Sequence, residues 1–232
     1  AVDSIQEGYA TRYTQQFWGL RMIISEQAKA FNQYEKVLDT TGYLADAVKL
    51  TQEFEGANVF IRAFDSSYPV GDALALCSSA HLLPKGGTFS NILSPAMSLS
   101  ELAIETMVIT ADKMVGPNGY RRGYKIVAIA IPSDLWFRAN RILKSEQQND
   151  TANNAINVLK GMGIAIRKDP FFTSTTNWWG QTDAEVGLKW IWSRKPTFKQ
   201  TSHPEMETEE HTASQWFANG ATDPRCIVGS NI

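Results

Sequence analysis

The chain has 232 residues, 43% of them apolar and 20% charged, with seven Trp and a formal net charge of −2. That length and composition describe a folded chain with a substantial core, one large domain or two small ones, and exclude a disordered or low-complexity protein. With no basic cluster beyond Arg121-Arg122 and Lys125, the near-neutral balance also argues against a protein that grips nucleic acid through its phosphates.

Cys77 and Cys226 form neither a CxxC pair nor a disulfide framework, so reduced thiols in a cytoplasmic setting are expected. No run approaches about 18 apolar residues and no signal peptide opens the chain, so neither membrane spanning nor secretion is expected. The first residue is Ala1, not Met. A segment preceding it is therefore expected.

In chain order, residues 1–24 read as extended. Tyr9, Tyr13, Phe17, Trp18, Leu20, Met22 and Ile24 partly alternate with Thr11, Arg12, Thr14, Gly19 and Arg21, as in a β-ribbon with one aromatic side. Its pairing strand must come from the preceding segment or from another subunit. Residues 25–64 read as a largely helical rod, with Ile24, Ala28, Phe31, Tyr34, Leu38, Ala45 and Val48 on one stripe. The poor helix formers Asp39-Thr40-Thr41-Gly42 predict a break, with a short helix over about 25–38 and the main one from 41 to about 60.

Residues 65–72 are rich in turn formers, and 73–77 read as a short apolar strand. The 78–95 stretch is a loop of about 18 residues containing Pro84, Pro95 and Gly86-Gly87, a length that usually carries function or contacts. Ser98 with Glu101 has capping-box spacing and opens a helix through Leu102, Ile104, Met107 and Val108 to about Met114. Pro117-Asn118-Gly119 turns the chain. Residues 125–131 (KIVAIAI) read as a strand buried on both faces. Pro132-Ser133-Asp134 then caps a helix over about 135–145, with Leu135, Ala139, Ile142 and Leu143 inward. A polar loop follows at 147–154, then strands at about 163–167 and 186–192, separated by an aromatic knot of Phe171, Phe172, Trp178 and Trp179. The tail from 195 alternates polar extended segments with turns and ends raggedly.

Chemistry is sparse. Cys77 and His81, with Asp72 nearby, could form a thiol nucleophile and base, but four residues across the end of a strand span about 13 Å. A buried Cys and a hydrogen-bonded His is the better reading. His81, His203 and His211 with Glu205, Glu207, Glu209 and Glu210 have no zinc-ligand spacing, and the acidic run reads as solvated surface. Gly86-Gly87-Thr88 lacks the Lys-Ser/Thr ending of a phosphate-binding loop, and Gly161-Met162-Gly163 lacks the third glycine of a dinucleotide fingerprint. No catalytic, cofactor-binding or metal residue is assigned, and no cofactor is expected. Trp18, Trp136, Trp178, Trp179, Trp190, Trp192 and Trp216 are spread along the chain; about half read as core and the rest as surfaces for association.

The 72–100 text is more specific. Asp72-Ala73-Leu74-Ala75-Leu76-Cys77-Ser78-Ser79-Ala80-His81, then Gly86-Gly87-Thr88-Phe89-Ser90-Asn91, then Leu99-Ser100, resembles the "DG-x-ALFS-x-x-H … GGT-x-SN … LS" segment of tailed-bacteriophage major capsid proteins, the Mu-like major head subunit group among them. Downstream, the strand YKIVAIAIP, the loop Asn153-Asn154-Ala155-Ile156-Asn157, the strand Ile164-Ala165-Ile166 and Asn177-Trp178-Trp179 keep the same order. The likeness covers most of 12–232. Ala73 stands where many relatives have Gly, and Cys77 where they have Phe. Phe217-Ala218-Asn219-Gly220 and Asp223-Pro224-Arg225 match the closing segment only loosely.

The resemblance implies the α+β phage major capsid fold. Residues 1–24 would be the return strand of the E-loop, with a long N-terminal arm missing. Residues 25–67 would form the P-domain with its spine helix, 68–190 the A-domain, and 191–232 the returning P-domain strands, under which the dry face of the spine helix packs. It implies a structural, non-enzymatic major capsid protein of the virion, assembled in the host cytoplasm as pentamers and hexamers into an icosahedral shell. That shell would enclose double-stranded DNA without sequence-specific binding, with scaffold, portal and decoration proteins as further partners and no membrane. Some relatives cross-link through an E-loop lysine; residues 1–24 contain none. The alternatives are a cytoplasmic thiol hydrolase using Cys77 and His81, or a tail or adaptor subunit.

Overall fold

The computed structural model describes residues 8–31, 34–148, 156–185 and 187–232, with backbone alone at 34–41. The expectations for residues 1–7, for most of the Asn-rich loop, for Val186 and for the side chains of Tyr34 and Leu38 therefore lie outside the described residues. In chain order the elements are β1 (Gln16–Ser25), α1 (Glu26–Ala30), α2 (Tyr34–Ile61), β2 (His81–Leu82), β3 (Thr88–Phe89), α3 (Glu101–Lys113), β4 (Ile126–Pro132), α4 (Trp136–Lys144), α5 (Val158–Gly161), β5 (Ala165–Asp169), β6 (Trp178–Thr182), β7 (Leu188–His203), β8 (Thr208–Ala221) and β9 (Ile227–Ser230). They fall into two compact units, one of Ala1–Arg12, Ala57–Lys189 and Ala221–Ile232, the other of Tyr13–Gly56 and Trp190–Gly220.

The second unit is a long helix on a three-stranded sheet of order β1-β8-β7. The partner of β1 is in its own chain: β1 runs antiparallel to β8 in continuous register from Gln16↔Phe217 to Ser25↔Thr208. The expectation of a partner from elsewhere is thus corrected, because residues 208–221, too polar to stand out as a strand, supply it. Ser25, near which the short helix is expected to begin, caps α1 by accepting from the Ala28 amide.

The chain does not break at Thr40 to Gly42. α2 passes through this stretch and runs 28 residues, about 42 Å at 1.5 Å per residue. Gly42 costs about 1 kcal/mol relative to Ala, whereas burying Leu44 and Val48 returns about 1.5–3 kcal/mol each. The buried stripe agrees with the sequence reading at Ile24 and Val48 and departs from it elsewhere: Leu44 joins Val48 against Ala213 and Met22, while Ala45 is only half-buried and Phe31 is exposed. The helix nevertheless packs under the returning strands. Gln52 donates to Gln215 Oε1 at 2.7 Å, Gln215 donates to the Val48 carbonyl at 3.3 Å, and Asn219 donates to the Glu55 carbonyl at 2.5 Å. Trp190 stacks on Phe217 with centroids 4.6 Å apart, and Trp18 and Trp192 also lie against Phe217.

The first unit is built on a mixed sheet of order β5-β4-β6-β9, with β5 parallel and β6 antiparallel to β4. β4 is the predicted buried strand, exposed only at Val127. Trp178 and Trp179, read as part of a connecting knot, are the start of β6. Successive strand residues point to opposite faces, so Trp178 joins Ile104, Met107, Ile129 and Ile142 on one side. Trp179 joins Ala130, Ile227 and the rings of Phe60, Phe64 and Phe172 on the other.

Four further sequence readings change. Residues 73–77 are not a strand: Ala73 has φ +62°, Val70 donates to the Leu74 carbonyl, and Leu76 and Cys77 are buried as coil. A short apolar run marks burial without stating which backbone achieves it. The 78–95 loop contains the β2–β3 hairpin, whose Gly86 and Gly87 sit at φ +90° and +94°, angles that only glycine adopts without strain. The cap of α3 is Ser100, not Ser98, accepting from Ala103, which places Glu101 in the first turn. The chain end is not ragged: Ile227 to Ser230 are all buried as β9, paired to β6.

Candidate functional site

The motif residues picked out in the sequence converge in the first unit. Turn chemistry at Asp65 to Asp72 reverses the chain, and the β2–β3 hairpin brings His81 and Asn91 back toward Asp72. His81 Nδ1 lies 2.6 Å from Asp72 Oδ2, with side chains 0% and 4% exposed. Its Nε2 faces the Leu76 carbonyl at 3.2 Å and Asn91 Oδ1 at 3.1 Å. The Asn91 amide is oriented without ambiguity, because Oδ1 accepts from the Ser78 amide while Nδ2 points at the carbonyls of Leu76, Pro224 and Ile227. Both ring nitrogens of His81 therefore face acceptors.

The same cluster fastens the C-terminal segment. Phe89 stacks on His81 with centroids 5.1 Å apart, and the Arg225 guanidinium lies over the Phe89 ring, 4.4 Å from its centroid. Arg225 donates through Nε to the Val115 carbonyl and through Nη1 to Asp223. Beside it is a cleft of about 170 Å³, lined mainly by Tyr9, Leu82, Pro84, Phe89, Pro117 and Pro224. Its lining also includes Asp72, Thr222, Asp223 and Arg225, but among the described residues no Cys, Ser or His.

The proposed thiol dyad is not assembled. Cys77 is buried, and burial first, with the neighbouring Cys226 second, pushes its thiol well above the ordinary range. Cys226 is pushed up to about 12 by burial and then by the charge of Asp223. A thiolate is the reactive form, and His81 directs both nitrogens at other partners. Asp72, His81 and Asn91 act as a brace.

The candidate metal residues divide between the units, His81 in the first and His203 and His211 in the second. Among the described residues, no group of three or more His, Cys, Asp or Glu could hold a metal ion. Glu205 and Glu207 are exposed as expected, but Glu209 and Glu210 are not free surface. Lys29 pairs with Glu209, while Glu210 receives His203 at 3.2 Å and Arg21 at 3.9 Å. The register of β1 on β8 delivers Arg21 beside this run, which no local pattern could announce. Of the seven Trp, Trp178 and Trp179 are fully buried, Trp18, Trp190 and Trp192 half-buried, and Trp136 and Trp216 exposed. No helix among the described residues is long and apolar enough to cross a membrane.

Comparison with known proteins decides what such a scaffold is. The phage capsid protein family profile matches residues 8–230. This chain belongs to the phage capsid protein family. The capsid protein is thus a structural subunit of the phage head, and its mixed helix and strand architecture is that of the phage capsid fold. A structure of the cyanophage P-SCSP1u capsid aligns over 99% of it and 77% of the other chain, at 12% identity and TM-score 0.57. A structure from Mycobacterium phage Patience aligns over 99% and 74%, at 10% identity and TM-score 0.57. The capsid of an empty GTA particle aligns over 93% and 71%, at 11% identity and TM-score 0.53. A search of curated protein sequences found no match. In the capsid protein the hydrogen bonds of the buried brace come from Asp72, Leu76, Ser78, His81 and Asn91, all within the sequence motif that carried the resemblance.

Proposed function

We propose that this chain is the major head subunit, assembling with copies of itself as pentamers and hexamers into an icosahedral shell that encloses double-stranded DNA without reading its sequence. The observation that carries the reading is the family match over nearly the whole chain, residues 8–230. In this reading residues 1–24 serve as the E-loop return strand, 25–67 as the P-domain with α2 as spine helix, 68–190 as the A-domain and 191–232 as returning P-domain strands. Its support is the docking of α2 on β8 and the β4-centred sheet that follows. β9 pairs with β6 in that sheet. Scaffold, portal and decoration proteins are the further partners of this proposal, and assembly takes place in the host cytoplasm.

Function then rests on geometry and burial: apolar area removed from water between neighbours, at about 25 cal/mol per Å² before the cost of association, is repeated at each contact of each subunit. The test is sedimentation velocity with negative-stain microscopy of the purified chain, with scaffold added where particles need it. Closed particles or capsomers are expected. A monomer under every condition overturns the proposal, and open tubes, or rings of a number other than five or six, place the chain in a tail or adaptor.

A further inference from the structure

Two helices of the first unit lie over opposite edges of its sheet and carry exposed stripes of opposite charge. In the order β5-β4-β6-β9, α3 contacts β9 at one edge and α4 contacts β5 at the other. Burial of Ala103, Ile104, Met107 and Ala111 in α3 turns Leu102, Glu105, Ile109 and Asp112 away from the core at three- and four-residue steps. Leu102 and Ile109 are 62% and 51% exposed. On the helix itself the charges are the half-buried Glu101 and Glu105 and the exposed Asp112 against Lys113, and Arg121 and Arg122 stand on the turn that follows its last residues.

In α4, burial of Ala139, Ile142 and Leu143 turns Phe137, Asn140, Arg141 and Lys144 outward, with Arg138 beside them. Phe137 is 65% exposed. The helix contains no acid; of the nearest two, Asp134 precedes it and Glu146 beyond it is paired with Lys160. Lys168 adds a further cation over the Trp136 ring. Each stripe thus has a large exposed apolar centre bordered by charge of one dominant sign, the anatomy of an interface and not of an ordinary solvated helix.

We propose that the two stripes are the two halves of one interface between neighbouring copies of this chain. Phe137 of one copy seats between Leu102 and Ile109 of the next, and Arg138, Arg141 and Lys144 face that copy's Glu101, Glu105 and Asp112. Like-charged pairings, α3 on α3 or α4 on α4, are repelled, so the contact is heterologous and propagates head to tail into a ring. The inference rests on the shell-forming role proposed above and supplies the lateral contact within a capsomer.

Two double reversals test it, Glu101→Lys with Glu105→Lys, and Arg138→Glu with Arg141→Glu. Wild-type particle formation is scored first by sedimentation velocity, and circular dichroism checks each variant's fold. Each double reversal should lower the yield of capsomers and particles more than about tenfold, and the chain with all four substitutions should recover to within about threefold of wild type. An equimolar mixture of the two double variants should recover six-membered rings but neither pentamers nor closed particles, because the copies must alternate. Unchanged yield in the double reversals, or no recovery in the fourfold chain, overturns the interface while leaving the shell reading intact. A wild-type chain that never assembles overturns the shell reading instead. Should a reversal disturb the fold, Ile109→Cys and Phe137→Cys decide the matter: mixed particles should yield a disulfide-linked pair under mild oxidation that neither variant yields alone, and absence of that pair overturns the interface.

Discussion

Replacing His81 with Ala isolates the brace. The substitution leaves the Asp72 carboxylate, its side chain 4% exposed, with one described hydrogen bond, from the Leu74 amide at 3.3 Å. Asn91 Oδ1 keeps the Ser78 amide, and the Leu76 carbonyl keeps Asn91 Nδ2, so the uncompensated charge dominates the loss. Breaking a buried pair by removing one partner costs about 3–5 kcal/mol, a large part of the roughly 5–15 kcal/mol that holds a domain folded. Urea unfolding followed by tryptophan fluorescence should show the midpoint falling at an unchanged slope. The paired variant Asp72→Ala/His81→Ala should lose about 1–3 kcal/mol less than the sum of the two single changes, because it leaves no orphaned charge. A His81→Ala cost below about 1 kcal/mol, the value of a solvated pair, or strict additivity in the cycle, would refute the reasoning.

The buried thiols predict an alkaline limit. The folded value for Cys226 is raised from 9.0 to about 12, so the unfolded chain gives up this proton first. The stabilisation is complete below about pH 9 and is lost as the pH rises toward about 12. Cys226→Ala should therefore flatten the fall in unfolding free energy over that interval, and an equally steep fall in the variant would count against it. Gly229→Ala puts a methyl group 2.6 Å from the Phe64 ring and 2.9 Å from Cys77 Sγ. Overpacking of this kind costs about 1–3 kcal/mol, which thermal unfolding should register as a lowered midpoint.

Much of this subunit is legible without coordinates. The β4 run KIVAIAI, the α4 stripe of Ala139, Ile142 and Leu143 and the start of a helix near residue 25 follow from periodicity, which is a property of neighbouring residues. Asp72, His81 and Asn91 could be named from their order in the motif, and the family reading with them. Their joint role could not, because it depends on the 72–91 segment folding back on itself and meeting the carbonyls of Pro224 and Ile227 more than 130 residues on.

The errors share one cause. Hydrophobicity reports that Leu76, Cys77, Trp179 and Ile227 leave water, and it reports correctly, since all four are buried. It does not report which backbone buries them, so 73–77 read as strand and proved to be coil, while the polar residues of β8 read as tail and became the centre of a sheet. The unbroken α2 follows the same rule: Thr40 to Gly42 are weak helix formers by themselves, and the contacts of Leu44, Val48 and Gln52 with residues more than 160 positions later outweigh that weakness. Local propensities are worth tenths of a kcal/mol to about one per residue, whereas burial of a large side chain is worth more. The composition and ordered motifs of this chain were sufficient to say that it folds and to which family it belongs. Strand pairing, helix continuity and the partners of its buried polar groups were set by contacts distant in sequence, whose energies exceed the local preferences they override.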